Sequence, residues 1–288
     1  MKKLLVAMLA LAMAASLSAC SGSSTASTTA AAETEAAETE AATEAAETEA
    51  AEIEAAEEAL ADDFSDIDFS EYTMVDISHM VQDEMPADPA LKLPSKDFFS
   101  EIEDDNDVMY NLEVISYCPH TGTHMDAPFH VLDDQGTIES VDPEVLMGPA
   151  CVIRLDVDGD YTITVEDIQN WEAEHGEIQA GEAVLFDTNH DQIWESDPEE
   201  YITNYPHLEE ESAQYLVDKG ARFVGCEAIS PDTSAPVCHK ILLGGGTEIV
   251  ENVCNLDQIG ADRCYIVGTF SAVQGSTGVW TRLLAYYK

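Results

Sequence analysis

The chain has 288 residues, with 58 Asp and Glu against 11 Lys and Arg, a formal net charge of −47 and only 7% aromatic residues. That balance excludes a nucleic-acid footprint or an anionic-lipid footprint, since both need clustered cations. It identifies no substrate, because acidity by itself governs solubility.

The N-terminus reads as an export segment. Lys2 and Lys3 precede an apolar run, Leu4 to Ala15, that is too short to span a bilayer comfortably. The run ends in Leu17-Ser18-Ala19-Cys20, which resembles the lipobox of bacterial lipoproteins. The resemblance implies a signal peptide over residues 1–20, lipidation of Cys20 and anchoring at the extracytoplasmic face of the membrane. Membrane contact is expected only through that anchor, for which two acyl chains suffice. Residues 21–70 follow, built mostly from Ala, Glu, Thr and Ser, with no aromatic residue before Phe64. Such a stretch has little to bury and cannot offset the entropy of ordering, so it reads as a disordered acidic tether.

Residues 71–288 suffice for one α/β domain. Runs rich in β-branched residues predict strands at Tyr72 to Ile77, Cys151 to Val157, Ala183 to Phe186, Phe223 to Cys226 and Cys264 to Phe270. A helix is predicted from Thr164, whose hydroxyl caps with Asp167 three residues on, to Gly176. A second spans about Glu209 to Lys219, buries Ala213, Leu216 and Val217, and stops at Gly220. Strands outnumber helices, which predicts a mixed sheet or barrel-like β core with helices outside it.

Beyond Cys20 there are six cysteines: Cys118, Cys151, Cys226, Cys238, Cys254 and Cys264. An even number outside the cytoplasm permits three disulfides. Most of them sit in apolar, strand-like runs, where cysteine serves as a small buried hydrophobe. Both readings stand at this stage.

The chemistry is concentrated in Pro119-His120-Thr121-Gly122-Thr123-His124-Met125-Asp126-Ala127-Pro128-Phe129-His130. A straight strand would hold His120 and His124 about 13 Å apart. Two ligands of one metal must each approach to about 2.0–2.1 Å. A helix would join them, but Gly122 and two threonines form helix poorly and Pro128 breaks it. A bent loop with corners at Pro119, Gly122 and Pro128 remains. Two histidines and a carboxylate on such a loop suit zinc, manganese or iron. Downstream, Cys238-His239 and the triple glycine Gly244-Gly245-Gly246 lead to Glu251. The glycines permit a tight reversal that sets His239 and Glu251 toward one site from two sides of a turn.

Together these segments resemble the cyclase-like metal hydrolases, the family of bacterial kynurenine formamidase and isatin hydrolase. The carriers are His120-x-Gly122-Thr123-His124-x-Asp126-x-x-x-His130, Asp76-Ile77-Ser78-His79, Gly225-Cys226-Glu227-Ala228 and Glu251 to Leu256. The resemblance implies a strand-rich swivelling β/β/α domain, usually dimeric. It implies that His120, His124, Asp126, His239 and Glu251 hold one or two divalent ions, zinc or manganese. It also implies that His130 moves protons rather than binding metal, a role suited to imidazole near neutral pH. The expected activity is hydrolysis of a carbon–nitrogen bond in a small amide, formamide or cyclic amide. A ligand- or metal-binding lipoprotein without catalysis, and a lyase or cyclase on the same scaffold, are the alternatives. One departure bears on the substrate: Pro86-Ala87-Asp88-Pro89 has no aromatic residue where the formamidase carries one. Of the other histidines, His190 reads as pocket lining or polar loop, His175 as a helix end and His207 as a surface residue.

Overall fold

A computed structural model describes residues 68–102 and 107–288. The expected signal peptide, the proposed lipidation site Cys20 and the expected tether as far as residue 67 lie outside the described residues. In chain order the strands begin with β1 (Thr73–Asp76), β2 (Ser95–Ser100), β3 (Leu112–Ser116) and β4 (His124–Asp126). They continue with β5 (Met147–Arg154), β6 (Thr162–Ile163), β7 (Ala183–Asp187) and β8 (His207–Leu208). The last are β9 (Phe223–Cys226), β10 (Glu248–Glu251), β11 (Arg263–Phe270) and β12 (Gly278–Tyr287). The helices are α1 (Val165–His175), α2 (Pro198–Thr203), α3 (Glu210–Asp218) and α4 (Val237–Gly244).

Eight strands form one sheet in the order β1-β12-β11-β5-β7-β9-β10-β4, and β4 pairs with β12 as well. That second pairing closes the sheet into a barrel-like ring, with β1 laid along the far half of β12. Strands β5, β7, β9 and β10 run parallel, and the remaining neighbours are antiparallel. The fold is therefore mixed α/β and strand-rich, as the sequence predicts.

Alternation along the strands makes two cores. Val152, Leu185, Phe223 and Val250 turn into the ring with Met125 of β4 and Leu283 of β12. Their neighbours Ile153, Val184, Val224 and Ile249 turn outward against Ile168 of α1, Leu216 of α3 and Leu242 of α4. Burying each such side chain is worth about 1.5–3 kcal/mol, so a one-residue slip that exchanges the faces is strongly resisted. The same parity decides where the chemistry sits. His124 and Asp126 flank the inward Met125, and Glu251 follows the inward Val250, so all three point out of the ring toward α4.

Helix α1 begins as predicted. The Asp167 N–H donates to Thr164 Oγ1 at 3.3 Å, and the Thr164 N–H donates back to Asp167 Oδ2 at 2.8 Å. Helix α3 buries Ala213 and Leu216, whereas Val217 is only half-buried. One expected boundary needs correction. The strand predicted over Cys151 to Val157 runs over Met147–Arg154, because antiparallel β11 carries its register down to Met147. The reversal predicted at the triple glycine is present: Gly244–Gly246, with Gly246 at φ 82°, end helix α4 and turn the chain into β10, so that His239 on the helix and Glu251 on the strand face one point. Of the two readings left open for the cysteines, the structure has the buried one: all six in the described residues are free thiols, and all but Cys118 are buried.

Candidate active site

The loop before β4 bends as expected, through Gly122 at φ 64°, but it then straightens into three strand residues. Val250↔Met125 and Glu251↔His124 are paired on one side of β4, and Gly278↔Asp126 and Trp280↔His124 on the other. The ring therefore fixes His124, Asp126 and Glu251 side by side. His239 reaches the same point from the first turn of α4.

The hydrogen bonds set which nitrogen of each ring faces inward. His124 Nδ1 lies 2.8 Å from the Gly122 carbonyl, which can only accept, so Nδ1 carries the proton. Its Nε2 points at Asp126 Oδ1 (3.3 Å) and Glu251 Oε2 (3.2 Å). His239 repeats the arrangement. Its Nδ1 donates to Asp232 Oδ2 at 2.7 Å, and its Nε2 faces Asp126 Oδ2 (3.3 Å) and Glu251 Oε1 (3.1 Å). His120 stands beside them with Nδ1 2.9 Å from Asp126 Oδ1 and Nε2 2.8 Å from Thr277 Oγ1. The His130 ring stacks on His120 at 3.9 Å between centroids and lies 5.7 Å from that of His239.

All five proposed donors thus converge, and His130 stands over them at an exposed edge. His120, His130, His239 and Glu251 line a cavity of about 370 Å³ whose apolar walls include Pro86, Leu91, Ile229 and Pro236, with His124 and Asp126 buried behind them. The Pro86 to Asp88 segment does line it, and Tyr205 is its aromatic side chain.

A family model described as putative cyclase matches residues 75–233, more than half of the chain. The chain belongs to the cyclase family. A kynurenine formamidase of Bacillus cereus is 32% identical over 158 residues, 54% of this chain and 69% of the relative. An isatin hydrolase of Roseibium aggregatum is 27% identical over 225 residues, covering 70% of this chain and 85% of its own. Among solved structures, a predicted metal-dependent hydrolase from Bacillus stearothermophilus superposes with a TM-score of 0.61 at 26% identity. The alignment covers 75% of this chain and 99% of that one.

The donor set of this cyclase-family chain fits a divalent cation on its own chemistry. His124 Nε2, Asp126 Oδ2 and Glu251 Oε1 are buried and have no hydrogen-bond partner, and one potential ligand atom from each of these three residues lies within 4.8 Å of the others. Burial alone would favour neutral carboxylic acids and neutral imidazoles. Burial is the largest influence on Asp126, yet contacts from His120, His124 and His239 hold its carboxyl well below the usual range. Glu251 is likewise held down by His124 and His239 against burial and the charge of Asp126. Burial opposes protonation of His124, but Asp126 and Glu251 together lift it to about 10. His239 is lifted well above its ordinary value against burial, by Asp126, Asp232 and Glu251. Two buried carboxylates thus retain two protons on imidazoles, the places a dication would take. His130 differs: burial, with the nearby charges of His120 and His239, pushes its imidazole below its ordinary value more than Asp126 and Glu251 raise it.

Several positioning residues escape a reading of the sequence. Asp232 accepts from the backbone N–H groups of Val237, Cys238 and His239 and from the His239 ring. The signal was an Asp among Ser, Thr and Pro just ahead of an apolar run, the composition of a helix start. Asn252, at φ 54°, donates to the Gly122 carbonyl that orients His124. Gly278 lies so close to His120 that a Cβ would stand 2.9 Å from the ring and 2.9 Å from the Met125 carbonyl. Of the other candidates, His190 is buried with Nε2 3.0 Å from the Tyr201 carbonyl, away from the cavity lining. Cys238 donates to the Leu208 carbonyl, and Cys118 lies outside the donor cluster. His207 is half-buried in β8, 3.2 Å from Asp160, rather than a free surface residue. His175, at the end of α1, pairs with Asp262 at 3.0 Å.

Proposed function

We propose that this chain hydrolyses a carbon–nitrogen bond in a small amide, formamide or cyclic amide, using zinc or manganese as one or two ions. His120, His124, Asp126, His239 and Glu251 would hold the metal. The chemistry such an ion supplies is acidification of water to a pKa of about 7 and polarisation of a carbonyl. The protein's part is to aim and to move protons. Gly122 and Asp232 fix the tautomers of His124 and His239, leaving each Nε2 lone pair for the ion. Pro86, Leu91 and Ile229 exclude water from one side of the cavity, which strengthens the polar interactions within.

The observation that carries the reading is His130. It is surplus to a site already supplied with five donors, yet its ring is stacked on one of them at the solvent edge of the cavity. From there it can take a proton from the attacking water and return it to the departing nitrogen. One ligand atom each from His120, Asp126 and His130 also lie within 4.8 Å of one another, so His130 acts as a proton carrier only if the other five donors hold the metal without it. The names of the relatives, a formamidase and an isatin hydrolase, support the same class of bond.

The test is a panel of formamides and cyclic amides, run on the metal-loaded chain and on His124→Ala with metal content measured in parallel. The variant should lose most of its metal and its turnover while staying folded. Full metal occupancy in the variant, or no turnover of any amide by the loaded wild type, would overturn the proposal.

A further inference from the structure

The proposed reaction sets the bond to be cut, and the walls of the cavity set what the rest of the substrate can carry. Three carboxylates line the cavity, those of Asp88, Asp232 and Glu251, and that of Asp126 is buried behind them. Among the described residues no Lys or Arg lines it. Two lysines follow lining residues in sequence, and both stand clear. Lys92 comes after Leu91, but its Nζ lies 3.0 Å from Ser116 Oγ, and neither Lys92 nor Ser116 reaches the cavity. Lys240 comes after His239 on α4, where it is exposed and lines no part of the cavity.

The three lining carboxylates differ in what already occupies them. Glu251 belongs to the proposed ligand set. Both oxygens of Asp232 accept hydrogen bonds from the start of α4 and from the His239 ring. Asp88 is exposed, and a turn holds it in place: the Leu91 N–H donates to its carbonyl at 2.9 Å. Its Oδ1 accepts from the Ala90 N–H at 2.7 Å, and its Oδ2 takes no hydrogen bond among the described residues. A carboxylate oxygen therefore stands free at the open side of the cavity. The surrounding field has the same sign. Burial, then Glu251, Cys226, Asp232 and Asp88, push the Tyr205 phenol in the cavity wall up to about 12. A metal ion would answer the charges of Asp126 and Glu251, but not that of Asp88.

A dication on the buried side and a carboxylate on the open side give the cavity two ends of opposite charge, with Pro86, Leu91 and Ile229 as apolar wall. At about 370 Å³ it is near the lower limit of ligand pockets, about 300–1,000 Å³, so one small molecule spans it. The carbonyl to be attacked belongs at the metal end, which leaves the far substituent of the substrate to Asp88. An ammonium group there gains a charge-assisted hydrogen bond. A carboxylate there meets a like charge and finds no cation to pair with. We infer that Asp88 selects the substrate by charge, favouring an amide or formamide whose far end carries an amine over one that ends in a carboxylate. The inference rests on the amide-hydrolysing reading for the bond that is cut and adds to it the charge of the group that is not.

Three phenylureas that resist hydrolysis, alike except for a para substituent, test the charge alone: aminomethyl (cationic), hydroxymethyl (neutral) and carboxylate (anionic). Their dissociation constants on the metal-loaded chain are read by calorimetry at neutral pH and low salt. An exposed ion pair moves affinity by roughly 2–5-fold, in opposite senses for the two charged ligands, so the cation should bind roughly 4–25-fold tighter than the anion. Asp88→Asn should remove most of that preference and Asp88→Lys should reverse it, with metal content unchanged. Glu174→Gln, which takes the same charge from an exposed residue outside the cavity lining, should leave the preference intact. Equal affinity for cation and anion, a preference that survives Asp88→Asn, or no binding of the cation at millimolar concentration would each overturn the inference. Formanilides with the same three substituents keep the two proposals apart. Turnover without any order of charge would overturn this inference and leave the amide reading standing. No turnover, with the order kept among the ureas, would overturn the amide reading and leave the charge selection by Asp88 standing.

Discussion

Asp232 Oδ2 accepts two hydrogen bonds from one residue, from the His239 backbone N–H at 3.0 Å and from its Nδ1–H at 2.7 Å. The same carboxylate that begins helix α4 therefore also aims the imidazole borne on its first turn. Both oxygens are in use, because Oδ1 accepts from the N–H groups of Val237 and Cys238. An Asn has only one acceptor oxygen, so Asp232→Asn leaves one pair of donors facing an NH₂ group. Metal affinity, measured by competition with a chelator, should fall about 10–100-fold, the usual effect of losing the carboxylate behind a ligating histidine. Affinity equal to wild type would show that His239 is not a ligand oriented in this way.

Replacing His130 separates proton transfer from metal binding. His130→Ala should keep its metal and its substrate affinity while turnover falls by roughly 10²–10⁴-fold, the range of a general acid–base contribution. If metal is lost together with activity, His130 is a ligand instead. Turnover equal to wild type would refute the assigned role.

Glu248 lies on the inward parity of β10 with Val250, and its Oε2 is buried without a partner. Burial, aided by the charge of Asp126, pushes its carboxyl up to about 7 from 4.5. A folded-state value above the unfolded one means that its contribution is complete below pH 4.5 and is lost as pH rises through about 7. Glu248→Gln should therefore gain on the wild type by about 1–3 kcal/mol between pH 5 and pH 9, as urea unfolding of the metal-free chain would register. Parallel stability curves for the two proteins would mean that the carboxyl titrates normally.

The anchor is tested at Cys20. Cys20→Ser should move the protein from the membrane fraction to the soluble fraction and leave turnover unchanged. Persistent membrane association would assign the attachment to something other than acylation.

How much of this was legible beforehand follows from the range of each signal. The capping box at Thr164 and the parallel strands β7 and β9 are local patterns, and they stand where the sequence puts them. The six residues singled out for chemistry do converge, because the bend at Gly122 follows from residues close by. What was missed depends on distant partners. Strand β12 mixes Trp, Thr and Arg with apolar residues and shows no clean alternation, since it pairs with β11 on one side and with β1 and β4 on the other. Helix α4 hides in an apolar run that reads equally well as turn or strand, until Asp232 is seen to cap it. The ribbon of β2 and β3 has exposed apolar residues on both faces, and no rule of burial predicts them.

The double duty of β12 also governs timing during synthesis. A nascent chain made as far as Phe270 already contains all five proposed metal donors and His130, yet it lacks the strand that pairs Trp280 with His124 and Gly278 with Asp126. It also lacks Thr277, which steadies His120. Contacts that span more than 150 residues form late and all together. On the proposed ligand set, the donors leave the ribosome as separate side chains, not as a formed centre. The cluster of His120, His124, Asp126, His239 and Glu251 is complete only once the final strand has closed the ring.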